Sequence, residues 1–277
     1  MGVESAPAGH AMSLRLLTHA LRHPVWVLGF VLLLVTFGLQ ATALRFGDLT
    51  VVQPILTVEL LFLIAILGVV FHRHLGWREL VGAAAIVAGL AGFIVAASPV
   101  LAHRIPDSRA WGLVTAIVLV AAAALVLGAR RGPRWWRAAA FGAAAGTLFA
   151  YNASLTKATA TLVTGGWGHV FTHWEPYAIG ASGAVGFFLL QNALHAGPLA
   201  ASRASMLMTN PVVSVVIGAF VFGEHLRGGA GFIGAEVASL AVMSAGAYLL
   251  CQSPLVAGAS AEGAQGEMLG AVSPVVP

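Results

Sequence analysis

The sequence predicts an all-α polytopic membrane protein of about eight spanning helices, and three observations carry that prediction. Of 277 residues, 59% are hydrophobic and only 9% are charged, where a soluble domain carries about 25% charged side chains and needs them for its polar shell. The apolar runs are continuous and about 18 to 23 residues long, which is the length of a helical span. A β-barrel would instead show alternating segments of about ten residues. The cationic residues fall mostly between the apolar runs, where topology signals belong, so the net charge of +4 does not argue for nucleic acid.

Residues 1–23 read as a basic N-terminal leader in which Arg15 and Arg22 flank Leu16, Leu17 and Leu21. No signal-peptide core of sufficient length precedes position 24. Spans are expected at 24–44, 49–71, 80–97, 110–128, 138–156, 177–195, 199–222 and 230–251, and residues 252–277 read as a disordered tail. The transmembrane domain thus covers 24–251, with a first half at 24–97, a linker helix at 110–128 and a second half at 138–251. Glycines 165, 166 and 168 make the stretch from Lys157 to Trp174 a loop. With the N-terminus inside, the inner side carries eight cationic residues and the outer side five, a bias sharpened by Arg130, Arg131, Arg134 and Arg137. That places both termini in the cytoplasm of a plasma-membrane protein.

Sliding the chain by 151 residues lays the first span on the sixth and the second on the seventh. Gly29 then meets Gly180, Phe37 meets Phe188, Leu39-Gln40 meets Leu190-Gln191 and Val70-Phe71 meets Val221-Phe222. With Leu56/Leu207, Ile66/Ile217 and His74-Leu75/His225-Leu226 there are ten identities, roughly twice the chance expectation for so biased a composition. The repeated spans lie five apart, an odd number, so the halves insert in opposite senses as an inverted repeat. The fifth span has no counterpart before the first, and the first half therefore looks one helix short.

Polar groups within the spans are the candidate site, because ionisable and amide groups in hydrocarbon need a reason to be there. Glu59 lies mid-span and is the candidate coupling carboxylate. Gln40, Asn152, Gln191 and Asn210 are candidates to line a substrate or coupling-ion cavity, with interhelical hydrogen bonding as their structural alternative. Gln53-Pro54 and Asn210-Pro211 each set an amide beside a proline, which removes a backbone donor and opens the helix one turn earlier. Gly142-x-x-x-Gly146 reads as a close packing surface within the bundle, with a homodimer as a further candidate use. His169 and His173 are too sparse a pair for a metal site, and no cofactor motif, phosphate-binding loop or nucleophile elbow appears. No enzymatic activity is expected.

On Gln40 to Pro54, Ala153 to Ala158, Ala196 to Ser202, Asn210 to Gly218 and Phe222-Gly223-Glu224, the chain resembles the drug/metabolite transporter superfamily, in the form of an EamA-like permease of actinobacterial type. The resemblance spans residues 24–251 on loose, largely apolar motifs. It implies an inverted-repeat permease that moves a small metabolite or drug by alternating access, coupled to protons through Glu59, around a central cavity. It also implies that Glu224 marks a helix end. The related NIPA-like group of magnesium transporters is similar in layout, which leaves a divalent cation as an alternative cargo. A truncated, non-transporting membrane protein is the third reading.

Overall fold

The computed structural model describes residues 24–72, 74–97, 107–224 and 230–255. The basic leader, the tail beyond 255 and Arg73 lie outside the described residues. All regular structure among these residues is helical: α1 (Pro24–Phe46), α2 (Leu49–Leu56), α3 (Glu59–Val69), α4 (Trp77–Ala97), α5 (Ser108–Ala129), α6 (Arg134–Leu162), α7 (Trp167–Val170), α8 (Glu175–Ala196), α9 (Leu199–Val221) and α10 (Ala230–Cys251). Seven stretches are long and apolar enough to cross a membrane, with α2 and α3 together forming one of them. The protein is a multi-pass helical membrane protein.

The expected fifth span, α6, is not among those seven, and its surroundings explain why. Sixteen of its 29 residues are buried, from Ala138 to Ala158, and α8, α9, α5 and α1 all pack on it. A helix wrapped in protein does not need the apolar surface that lipid demands. Close approach to α9 runs through the two glycines of the Gly142-x-x-x-Gly146 motif. A Cβ on Gly142 would stand 2.3 Å from the Ser202 carbonyl oxygen, and one on Gly146 2.7 Å from that of Met206. The motif is a seam inside the bundle.

A second tight pair joins α4 to α10. Gly89 lies against the backbone of Met243 and Ser239, and Gly82 and Gly246 face each other across the same seam. By contrast α1 touches mainly α6, and only 6% of its apolar window is buried.

Three sequence expectations need correction. The span expected at 49–71 is broken between α2 and α3: Thr57 and Val58 donate to carbonyls only three residues back, at Pro54 and Ile55. Pro54 supplies no N–H of its own, and the tightened turn follows it directly. The loop expected from Lys157 begins later, because α6 continues to Leu162. Thr156 and Thr161 return their hydroxyl protons to the carbonyls of Asn152 and Ala158, and the helix stops only before Gly166, at φ 93°. Residues 252–255, expected to open a disordered tail, are ordered: Ser253 is fully buried and its hydroxyl bonds the Glu79 carboxylate.

Helix bounds recur at a nearly constant offset. α1 ends at 46 and α8 at 196, while α2 begins at 49 and α9 at 199, an offset of 150 in both cases. Where α3 and α9 end, His72 (φ 49°) and Gly223 (φ 62°) both turn into the left-handed region, and they stand 151 positions apart. For a non-glycine residue that backbone is uncommon. Its recurrence at the sequence offset is independent of side-chain identity.

Candidate functional site

Four of the five polar residues singled out from the sequence line one cavity. Its volume is about 250 Å³, and its walls come from both halves: Gln40 of α1, Gln53 and Leu56 of α2, Thr57, Glu59 of α3, Phe149 and Asn152 of α6, and Met206, Leu207, Asn210 and Pro211 of α9. Gln191, which the 151-residue offset aligns with Gln40, is not among them; it is exposed on α8. Position 191 faces away from the cavity, while Gln40 on α1 lines it.

The polar wall is ordered by hydrogen bonds. Asn210 Nδ2 donates to Gln53 Oε1 at 3.3 Å, and Ser214 Oγ donates to Asn210 Oδ1 at 3.5 Å. The two amides that precede prolines therefore meet at the centre of the bundle, one from each half. Gln53 is only 2% exposed, yet its Nε2 has no hydrogen-bond partner among the described residues. A buried amide left with an unmet donor costs about 1–3 kcal/mol, and a ligand acceptor in the cavity would relieve that cost. Asn152 spends its amide differently: Nδ2 donates to the Ile179 carbonyl at 2.7 Å and to Ser182 Oγ at 2.9 Å, tying α6 to α8. Its structural and cavity-lining roles coexist.

Glu59 opens α3 directly after the tightened turn, whose carbonyls at Thr57 and Val58 accept the N–H groups of Leu60, Leu61 and Phe62. It lines the cavity and forms no salt bridge among the described residues. Among the described residues Glu59 is the only charged one in the lining, and the Arg203 guanidinium of α9 lies outside the lining but within electrostatic reach of the carboxylate. The remaining walls, from Phe149, Met206, Leu207 and Leu56, are apolar.

Sequence reasoning missed the most polar part of the structure, which lies at one end of the bundle. Lys157, 6% exposed, and Glu224, 3% exposed, form an ion pair at 2.6 Å. Lys157 Nζ also donates to the Gly47 carbonyl at 3.0 Å, stands 3.7 Å from Asp48 Oδ1, and lies over the Phe222 ring. The signal is present in the sequence but split: Lys157 stands at the start of the expected loop, and the resemblance implies only a helix end at Glu224. Only the fold brings positions 67 residues apart together. The histidines His169 and His173 stack at 4.5 Å between ring centroids, with His173 Nδ1 3.6 Å from Glu175. Among the described residues no group of three or more His, Cys, Asp or Glu side chains could hold a metal ion.

No protein-family profile matches the chain, and no solved structure matches it. The chain is similar to an uncharacterized protein of Corynebacterium glutamicum, at 28% identity over 212 residues, which cover 76% of this chain and 73% of that relative.

Proposed function

We propose that this protein is a secondary transporter of the EamA-like, drug/metabolite transporter type, moving a small polar metabolite or drug across the plasma membrane by alternating access. The observation that carries the reading is the cavity shared between the halves: an apolar membrane bundle gathers Gln40, Gln53, Glu59, Asn152 and Asn210 around about 250 Å³ of space. Ionisable groups such as Glu59 are costly in such a place unless they serve a solute or an ion, while the amides also bond between helices. The matching helix bounds and the left-handed turns at His72 and Gly223 support the inverted repeat, a common architecture for binding at the membrane midplane.

The lining narrows the cargo. A carboxylate with amides in the lining, with Arg203 acting on that carboxylate from outside it, favours a neutral polar or a cationic solute over phosphates and other anions. A divalent cation held by protein prefers six or more oxygen ligands, commonly with several carboxylates, and this cavity supplies one. The organic solute is therefore the better reading. In it, Glu59 alternately holds a proton or the cationic group of the cargo, and the unmet Gln53 amide donates to an acceptor on the cargo.

Reconstitution into proteoliposomes with a panel of amines, neutral metabolites and organic anions tests this directly. Cationic or neutral solutes are expected to move, to be driven by an imposed pH gradient, and to lose that drive in Glu59→Gln. Flux of anions alone, or proton-driven flux unchanged in Glu59→Gln, would overturn the assignment of the site.

A further inference from the structure

The lysine–glutamate cluster does more than neutralise two buried charges. Glu224 Oε1 accepts the backbone N–H of Leu49 and Oε2 that of Thr50, both at 2.8 Å. The carboxylate thus caps the first turn of α2 from the far half of the molecule. Gly223, at φ 62°, turns the chain so that Glu224 folds back, and Gly218 leaves the room, since a Cβ there would stand 2.3 Å from Glu224 Oε2. Lys157 completes the cluster by bonding the same Oε1.

α2 is the element this cluster holds. It has eight residues, is detached from α3 by the tightened turn at Thr57–Val58, and contributes Gln53 and Leu56 to the cavity. One end is latched by charge and the other is a tightened turn beside Glu59, helical in backbone but bonded three residues back.

Among the described residues the opposite end of the bundle shows no such device. There α9, the repeat mate of α2, begins after Pro198 with no side-chain cap. The position matching Glu224 in the 151-residue register is Arg73, and a guanidinium cannot accept a helix N–H. The same left-handed turn therefore precedes an acid in one half and a base in the other.

We propose that α2 is a gate, hinged at Thr57–Val58 and held shut by Glu224 and Lys157, which closes the Lys157 end of the cavity at rest. The proposal rests on the reading of the cavity as the permeation site, but its test needs no transported substrate.

The test uses the full chain with its one cysteine replaced (Cys251→Ala) and a reporter in the cavity wall, Thr57→Cys. Thr164→Cys, on the exposed turn after α6, identifies which side of the membrane carries the Lys157 end. An impermeant maleimide is applied to each side in turn, using intact cells and inverted vesicles. With the latch intact, the reporter is expected to resist labelling from the Lys157 side. Glu224→Gln should raise the rate from that side at least tenfold and leave the other side within twofold.

Leu49→Pro is the second variant, because proline is tolerated at the first position of a helix and Asp48 is already extended before it. It deletes one of the two capped N–H groups and should raise the rate about threefold. An unchanged rate from the Lys157 side in both variants, or an equal rise from both sides, would overturn the gate. Loss of flux in proteoliposomes with the labelling pattern intact would count against the transporter reading alone.

Discussion

α2–α3 and α9, which the 151-residue offset aligns, each carry an amide followed by proline inside an apolar run, six positions apart in that register, and respond to it differently. α9 stays helical through Pro211 from Leu199 to Val221, whereas α2 gives way just after Pro54. Their surroundings differ more than their sequences. α9 is held along its length by α6 and is also packed on α10 and α2, with 39% of its apolar window buried against 28% for α2–α3. Lost backbone bonds are tolerated where neighbours fix the axis, and become a hinge where they do not. A kink signal in a membrane sequence therefore marks a susceptible place, and packing decides whether it bends.

The largest expected effect breaks the clamp on α9. Gly142→Leu drives a side chain into the Ser202 backbone and should abolish recovery of monodisperse protein in detergent. Gly142→Ala, whose single Cβ meets an oxygen at 2.3 Å, should destabilise by about 3 kcal/mol, read as a lowered thermal midpoint. Recovery of both variants at the wild-type level would mean that α6 does not brace α9.

Next comes the latch on α2. Lys157→Met leaves the Glu224 carboxylate buried with only backbone donors, and removal of one member of a buried pair costs about 3–5 kcal/mol. Thermal unfolding should show that loss, and the double variant Lys157→Met/Glu224→Gln should recover part of it. Absence of any recovery would show that the two residues act separately.

The smaller effects compare the glutamines that the repeat aligns. Gln40→Ala removes a cavity amide and should raise the half-saturating solute concentration about fivefold, the equivalent of one hydrogen bond of about 1 kcal/mol. Gln191→Ala, outside the cavity, should leave flux within twofold. Equal losses in the two would mean that sequence register, rather than packing, decides which residues meet the solute.

How much was legible in advance depends on the kind of signal. Long apolar runs are local, and every expected span appears as a helix or a helix pair, with ends moved by a few residues. α6 was legible as a helix but not as an interior one, because its alanines and threonines describe a surface without saying what covers it. Gln40, Glu59, Asn152 and Asn210 were legible because polar groups in apolar runs stand out. Gln53 carried the same amide–proline signal as Asn210, and its place in the cavity wall follows from their hydrogen bond. Gln191 was misleading, since the repeat transfers a residue type and not the direction it faces.

The sequence by itself determined a helical membrane bundle, the approximate bounds of its spans and the offset at which they recur, since hydrophobic length and periodicity are properties of contiguous residues. Tertiary structure alone decided which helix lies inside, where a proline becomes a hinge and which polar groups share a cavity. It also decided that Lys157 and Glu224 meet at the start of α2. Each of those depends on which surfaces exclude lipid from which others, and that is settled between segments far apart in the chain.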